Sequence, residues 1–142
     1  MKNMHVLLVE DNEGDILLLT ELLSERSTIR KISVAKTGQD AIDFVHKIGA
    51  YRNVESPDLI LLDINLPLKN GHEVLLEIKG NEKTRRIPVM MLTTSSAPED
   101  INGCYDKHAN LYMTKPGDMN TFEDALNAVE SFWNNLVHLP RQ

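Results

Sequence analysis

The chain alternates short, continuously apolar runs with longer segments of helical periodicity, and this alternation restricts the folds open to it. The runs at 6–9 and 59–62 contain no polar residue, which is typical of strands buried on both faces of a parallel sheet. The longer segments place apolar residues three and four positions apart, as an amphipathic helix does. The pattern predicts an α/β protein with helices on both faces of its sheet.

The pattern predicts five strands and five helices in strict alternation. Strands are expected at 6–9, 32–35, 59–62, 87–92 and 111–113. Helices are expected at about 39–48, 98–108 and 119–137, and two more helices are expected to include the periodic apolar residues within 16–23 and 74–78. All ten elements fit one domain over residues 1–142, without a linker or internal repeat. The expected architecture is a three-layer, flavodoxin-like, doubly wound parallel sheet, and the strand order 2-1-3-4-5 is adopted from that class.

Charge and hydropathy argue against several classes of partner. The net charge is −6, whereas nucleic-acid binding requires clustered basic residues, and the adjacent Arg85 and Arg86 are too small a footprint. No run of 18 apolar residues and no signal-peptide pattern is present, so we expect no membrane segment and a cytoplasmic location. The single Cys104 is predicted to be a half-buried helix residue, and the five histidines to be surface or helix residues.

Residues with reactive or charged side chains follow four of the predicted strands. Ligands of open parallel sheets bind beyond the carboxyl ends of the strands. Glu10 and Asp11 follow the first strand and Asp63 follows the third, while Thr93 and Lys115 follow the fourth and fifth. Three carboxylates at one edge repel one another unless a cation neutralises them, and hard oxygen ligands favour Mg²⁺ or Ca²⁺. The edge is therefore predicted to bind a divalent metal.

These side chains form a complete set for transfer of a phosphoryl group to a carboxylate. Asp63 can act as the nucleophile and give an acyl phosphate. Phosphoryl transfer needs mainly positioning and countercharge, which a divalent metal, the Lys115 ammonium and the Thr93 hydroxyl can supply. Singly, each acid could be a helix cap or a solvated loop residue and Lys115 a surface charge. Taken together, they predict a metal-dependent phosphoryl site.

Five segments of the sequence, four of which contain the site residues described above, form one pattern. In their order and spacing, these segments resemble the receiver domains of bacterial two-component response regulators, and the resemblance covers about residues 4–137. The matching segments are Val9-Glu10-Asp11-Asn12, Leu61-Leu62-Asp63-Ile64-Asn65-Leu66-Pro67, Asn70-Gly71, Pro88-Val89-Met90-Met91-Leu92-Thr93 and Lys115-Pro116. The resemblance implies that Asp63 accepts the phosphoryl group and also ligates Mg²⁺. It implies that Asp11 is a direct metal ligand, that Glu10 acts through water, and that Asn65 offers its backbone carbonyl.

The resemblance also assigns the groups that respond to phosphorylation. It implies that Thr93 is the switch hydroxyl, that Lys115 holds the phosphoryl group, and that the Lys115–Pro116 bond is cis. Tyr112 matches an aromatic switch residue, although an amphipathic tyrosine on an edge strand is an alternative reading. Ser95 is neither an acid nor an amide that could orient water, so we expect slow dephosphorylation.

Features near the C-terminus, together with one insert in the first half of the chain, make the chain similar to the small response regulators paired with phytochrome-type histidine kinases. The features that carry this similarity are Ser131-Phe132-Trp133, Leu139-Pro140 and the polar insert before Pro57. The similarity implies a sensor histidine kinase as phosphoryl donor. It also implies a homodimer through the fourth helix, fifth strand and fifth helix. A helical extension at about 131–142 is expected, in which Trp133 either joins the dimer or folds back on its own domain.

We expect that the chain has no room for an effector domain, and that its output is therefore contact with other proteins rather than DNA binding. Two alternatives stay open at this point. One is a receiver-like scaffold that works without phosphorylation, and the other is a phosphatase of the haloacid-dehalogenase type. That second class has another Asp two residues beyond the nucleophile, where this chain has Asn65. We therefore expect no enzyme activity beyond self-phosphorylation and self-dephosphorylation.

Overall fold

The computed structural model describes residues 4–93, 97–114, 123, 124, 127, 128 and 131, and the structural statements below concern these residues. Its sheet has five parallel strands in the order β2-β1-β3-β4-β5, which confirms the predicted order and the flavodoxin-like fold. The strands are β1 (Met4–Val9), β2 (Ile29–Ala35), β3 (Leu59–Leu62), β4 (Val89–Thr93) and β5 (Leu111–Thr114).

Four α-helices have defined bounds within the described residues. They are α1 (Glu13–Ser24), α2 (Gly38–His46), α3 (Gly71–Gly80) and α4 (Pro98–Asp106), and a short 3-10 helix spans Gly49–Tyr51 in the predicted loop. The fifth predicted helix, at about 119–137, lies mostly outside the described residues. The five described positions within it, at 123, 124, 127, 128 and 131, are all helical. None of the helices described here is long and apolar enough to cross a membrane.

The surroundings of β1 and β3 in the sheet explain why the sequence is continuously apolar at 6–9 and 59–62. Successive residues of β1 and β3 point to opposite faces of the sheet, and helices cover both faces. One core cluster contains Leu7, Val9, Ile60 and Leu62 together with residues of α2 and α3. The other contains Val6, Leu8, Leu59 and Leu61 together with residues of α1. Both faces are buried along 6–9 and 59–62, so neither run has a solvent-exposed position for a polar side chain.

Among the strands, the largest boundary error concerns β2, which begins at Ile29, three residues earlier than predicted. Its first half contains the exposed Arg30 and Lys31, which interrupt the apolar pattern. β2 pairs only with β1 and is an edge strand, and charged side chains are common on edge strands because they discourage pairing with another chain. Arg30 forms an ion pair with Glu55 of the polar insert.

The prediction that His5 is a surface or helix residue is wrong. His5 lies in β1 and is fully buried. Its ring nitrogens lie 2.8 Å from the Ser33 hydroxyl and 3.3 Å from the Ser56 carbonyl oxygen, and its ring packs against Phe44. Burial lowers the pKa of His5, because the protonated ring loses hydration inside the protein. Cys104, by contrast, lies in α4 as predicted, but it is completely buried.

Candidate functional site

The register of the strands brings the ends of β1 and β3 to the same level. Val9 pairs with Leu62, and Leu62 pairs with Met91 of β4. The Asp63 N–H donates to the Val9 carbonyl oxygen at 3.1 Å, so the pairing of β1 and β3 continues one residue beyond β3. Glu10 and Asp63 consequently leave the sheet side by side.

The three acids predicted to bind a metal are brought together. Carboxylate oxygens of Glu10, Asp11 and Asp63 all lie within 4.8 Å of one another. Glu10 and Asp63 are buried, while Asp11 is exposed. Three carboxylates this close repel one another strongly, and the repulsion is relieved by a hard divalent cation that accepts oxygen ligands. The donor set therefore fits Mg²⁺ or a cation of similar preference.

Backbone amides fix two of these carboxylates. The Asn12 N–H donates to Glu10 Oε2 at 3.2 Å, and the Ile64 N–H donates to Asp63 Oδ1 at 2.7 Å. Hydrogen bonds from N–H groups to carboxylates are stronger than those between neutral groups. These two hydrogen bonds help to fix the orientation of the Glu10 and Asp63 carboxylates.

The loop 64–70 is clamped between the first turns of α2 and α3. Gly71 begins α3, and a Cβ atom there would lie 2.2 Å from the Asp63 carbonyl oxygen. Gly38 begins α2, and a Cβ atom there would lie 1.9 Å from the Lys69 carbonyl oxygen. Only glycine permits either approach. In the sequence analysis, Asn70-Gly71 served only as part of the receiver resemblance, and this positioning role of both glycines was missed, because nothing in a local pattern shows which backbone lies opposite.

Asn65, predicted to offer its carbonyl to the metal, lies in the same loop two residues after Asp63 and is exposed. Its neighbour Asn70 caps α3: the Asn70 side chain accepts from the Glu73 N–H, and the Glu73 side chain accepts from the Asn70 N–H. The capping box fixes the end of the loop 64–70. This loop carries Asn65 and directly follows Asp63.

The remaining predicted residues lie on β4, on β5 or beyond them. Thr93 is the last residue of β4 and pairs with Thr114, the last residue of β5, at the edge that carries Asp63. Tyr112 is half-buried against the core, and its N–H donates to the Tyr105 hydroxyl of α4 at 3.1 Å. Lys115 follows Thr114 directly but lies outside the described residues, as do Ser95 and Pro116 with the predicted cis bond.

A parallel sheet in this order, with an acidic cluster where its two central strands end, defines the receiver class of signalling proteins. The family model described as the response regulator receiver domain matches residues 6–127. The match covers most of the chain, and the chain belongs to this family. It is therefore a receiver of the two-component type, in agreement with the resemblance stated for its sequence.

Its relatives include regulators associated with phytochromes. The chain is 41% identical to response regulator Rcp1 of Synechocystis over 135 residues, which cover 95% of this chain and 92% of Rcp1. The Mn²⁺-bound structure of Rcp1 matches with a TM-score of 0.89 over 98% of this chain and all of Rcp1. The phosphorylated cyanobacterial phytochrome response regulator RcpA matches with a TM-score of 0.92 and 39% identity, over 98% of this chain and 99% of RcpA.

Proposed function

We propose that Asp63 of this chain accepts a phosphoryl group from a sensor histidine kinase in a reaction that requires Mg²⁺. The observation that carries the proposal is the convergence of Glu10, Asp11 and Asp63 within 4.8 Å at the ends of β1 and β3. Asp63 is held in this cluster at its backbone N–H and at one carboxylate oxygen, and it stands at the position that the receiver resemblance gives to the phosphoacceptor.

In the proposed reaction, an oxygen of the Asp63 carboxylate attacks the phosphorus atom of a phosphohistidine. The O–P bond of an acyl phosphate forms, the P–N bond breaks, and its electron pair returns to the histidine ring. The Ile64 N–H on Oδ1 keeps the carboxylate plane fixed during the attack. We assign Thr93 and Lys115 to hold the phosphoryl oxygens, since Thr93 ends β4 at the edge that carries Asp63 and Lys115 directly follows β5 in the sequence.

We assign the metal to Asp11, Asp63 and the Asn65 carbonyl, with Glu10 acting through water. Mg²⁺ there would neutralise the carboxylates and the charge on the phosphoryl oxygens. The Mn²⁺-bound form of Rcp1 supports a divalent cation, and the oxygen donors favour Mg²⁺. The buried position of Glu10, with its carboxylate held by the Asn12 N–H, suits a residue that orients a metal-bound water.

Phosphorylation is proposed to act on partners through Thr93 and Tyr112, with a coupling free energy of about 1–3 kcal/mol. The Tyr112 N–H donates to the Tyr105 hydroxyl, which connects β5 to α4, and the switch role of the Tyr112 side chain is proposed from the receiver resemblance. The α4–β5 face, with the partly exposed Tyr105 and Leu111, is part of the proposed homodimer interface. The fifth helix would complete this interface.

The proposed kinase is of the phytochrome type, because RcpA is a phytochrome response regulator and covers nearly this whole chain. We treat residues 1–142 as one receiver domain with a helical extension at about 131–142, which lies beyond the family match at 6–127. The proposed output is protein contact rather than DNA binding. The proposed location is the cytoplasm, where the single Cys104 would stay reduced.

Phosphate-affinity electrophoresis after incubation with acetyl phosphate and Mg²⁺ tests the central assignment. We expect a retarded band for the wild type and none for Asp63→Asn or without Mg²⁺. A wild type that shows no retarded band would support the scaffold alternative, and a band that persists in Asp63→Asn would place the phosphoryl group elsewhere. Sustained release of phosphate from an added phosphoester would favour the phosphatase.

A matched pair of acids tests the metal site. Asp11→Asn removes a charge from the cluster, and Asp15→Asn makes the same change in the first turn of α1, outside the cluster. We expect Asp11→Asn to raise the Mg²⁺ concentration needed for phosphorylation, and Asp15→Asn to leave it unchanged. Equal effects of the two substitutions would contradict a local metal site at Asp11.

A further inference from the structure

A cavity of about 420 Å³ opens at the edge of the sheet opposite Asp63. It is lined by Lys79, Arg85, His108 and Asn110. Lys79 lies in the last turn of α3, while Arg85 and Asn110 lie in the segments that lead into β4 and β5. The cavity is therefore at the amino ends of these strands, whereas the phosphoryl site is at the carboxyl ends.

Lys79 brings a fixed positive charge to this cavity. Its Nζ donates to the carbonyl oxygens of Arg85 at 3.0 Å and Ile87 at 2.8 Å, and to Asn110 Oδ1 at 3.0 Å. All three acceptors are uncharged, so they fix the ammonium without neutralising it. Burial lowers the pKa of Lys79, because the half-buried ammonium is partly desolvated. An anion in the cavity would supply the missing countercharge.

The other residues that line the cavity offer hydrogen-bond donors. Asn110 Oδ1 accepts from Lys79 and from the Val89 N–H at 2.8 Å, so the amide oxygen is fully used and its NH₂ group remains available. Arg85 and His108 have no ion pair or side-chain hydrogen bond with any part of the chain that the structure describes. No acid among the described residues lines the cavity, although the chain as a whole carries a net charge of −6.

We propose that this cavity binds the phosphomonoester group of a small molecule. A guanidinium, an imidazole and an amide NH₂ belong to residues that line one cavity, and a doubly charged phosphate with three terminal oxygens can accept hydrogen bonds from all of them. The volume lies within the range of about 300–1,000 Å³ that is usual for small-molecule sites, so there is room for more than the phosphate itself. The site is separate from the proposed phosphoacceptor and independent of its chemistry.

Titration of the ¹⁵N-labelled protein with inorganic phosphate, ribose 5-phosphate and ribose tests the proposal. The buffer is free of divalent metal and held at constant ionic strength, so that the acidic cluster around Asp63 repels phosphate. We expect saturable amide shifts at residues 85, 108 and 110 with both phosphates and none with ribose. Shifts confined to the surroundings of Asp63, or equal shifts with acetate, would overturn the proposal. Either result leaves the phosphorylation assay of Asp63 unaffected.

Substitution of two exposed basic residues, one in the lining and one outside it, distinguishes phosphate binding in the cavity from general electrostatic attraction of phosphate to the protein surface. Arg85→Gln removes a lining guanidinium, and Lys83→Gln removes the same charge from the same loop outside the lining. We expect Arg85→Gln to weaken phosphate binding about tenfold or more and Lys83→Gln to leave it nearly unchanged. His108→Asn is a second test, since Asn tolerates the positive φ of 70° at that position. It should also weaken binding, and equal affinities for all variants would overturn the proposal.

Discussion

Replacement of Gly71 by alanine should damage both the stability and the reactivity of this receiver. The new Cβ would lie 2.2 Å from the Asp63 carbonyl oxygen, 2.6 Å from the Ile64 Cα and 2.9 Å from the Asp63 carbonyl carbon. All three atoms belong to backbone, which cannot rotate away as a side chain can. The clash can be relieved only if the first turn of α3 and the backbone of Asp63 move apart.

The size of the effect follows from these distances. Ordinary contact for a Cβ begins at 3.4 Å, so the displacement needed is about 1 Å. Overpacking of a tight interior costs about 1–3 kcal/mol of unfolding free energy. A displacement of about 1 Å at a reacting group can slow its reaction by roughly a hundredfold. The phosphorylation rate should therefore fall much more than the fraction of folded protein.

The control lies in the same helix. A Cβ at Gly80 meets nothing within 4 Å, so Gly80→Ala should leave the unfolding free energy unchanged or raise it by up to about 1 kcal/mol. Urea denaturation measures the stability of both variants, and the rate of appearance of the retarded band with acetyl phosphate measures reactivity. If Gly71→Ala is as stable and as reactive as Gly80→Ala, the argument that α3 positions Asp63 by close approach is refuted.

Three further changes should affect stability. Asn70→Ala removes the capping box of α3 and should cost about 1 kcal/mol in urea denaturation. Asn53→Ala provides a comparison, because Asn53 is exposed and its side chain has no hydrogen bond among the described residues. Thr84→Val removes the buried hydroxyl that donates to the Ile78 carbonyl oxygen at 2.7 Å, and should cost about 1–3 kcal/mol; an unchanged denaturation midpoint would contradict this. The folded-state pKa of His5 lies below its ordinary value of 6.5, so the unfolded chain takes up the proton first. Stability should therefore decrease as the pH falls below about 6.5, less steeply in His5→Gln, and identical pH profiles would contradict the assignment.

Local patterns were sufficient to predict much of this protein. The continuous apolar runs of β1 and β3 require burial on both faces, and a doubly wound parallel sheet provides it for strands separated by helices. The positions of Glu10, Asp11 and Asp63 directly after those strands then placed all three acids at one edge of the sheet. The β2 boundary was predicted less well, because Arg30 and Lys31 on an edge strand do not follow the apolar pattern.

Other features depend on contacts between distant parts of the chain. The burial of His5 depends on Ser33 and Ser56, and the role of Gly71 depends on the backbone of Asp63. The basic cavity joins Lys79 and Arg85 to His108, more than 20 residues further along the chain. A periodic pattern records which side of its own helix or strand a residue occupies, but not which residue of another element lies opposite. That pairing is fixed only when the strands take their register and the helices pack on the sheet.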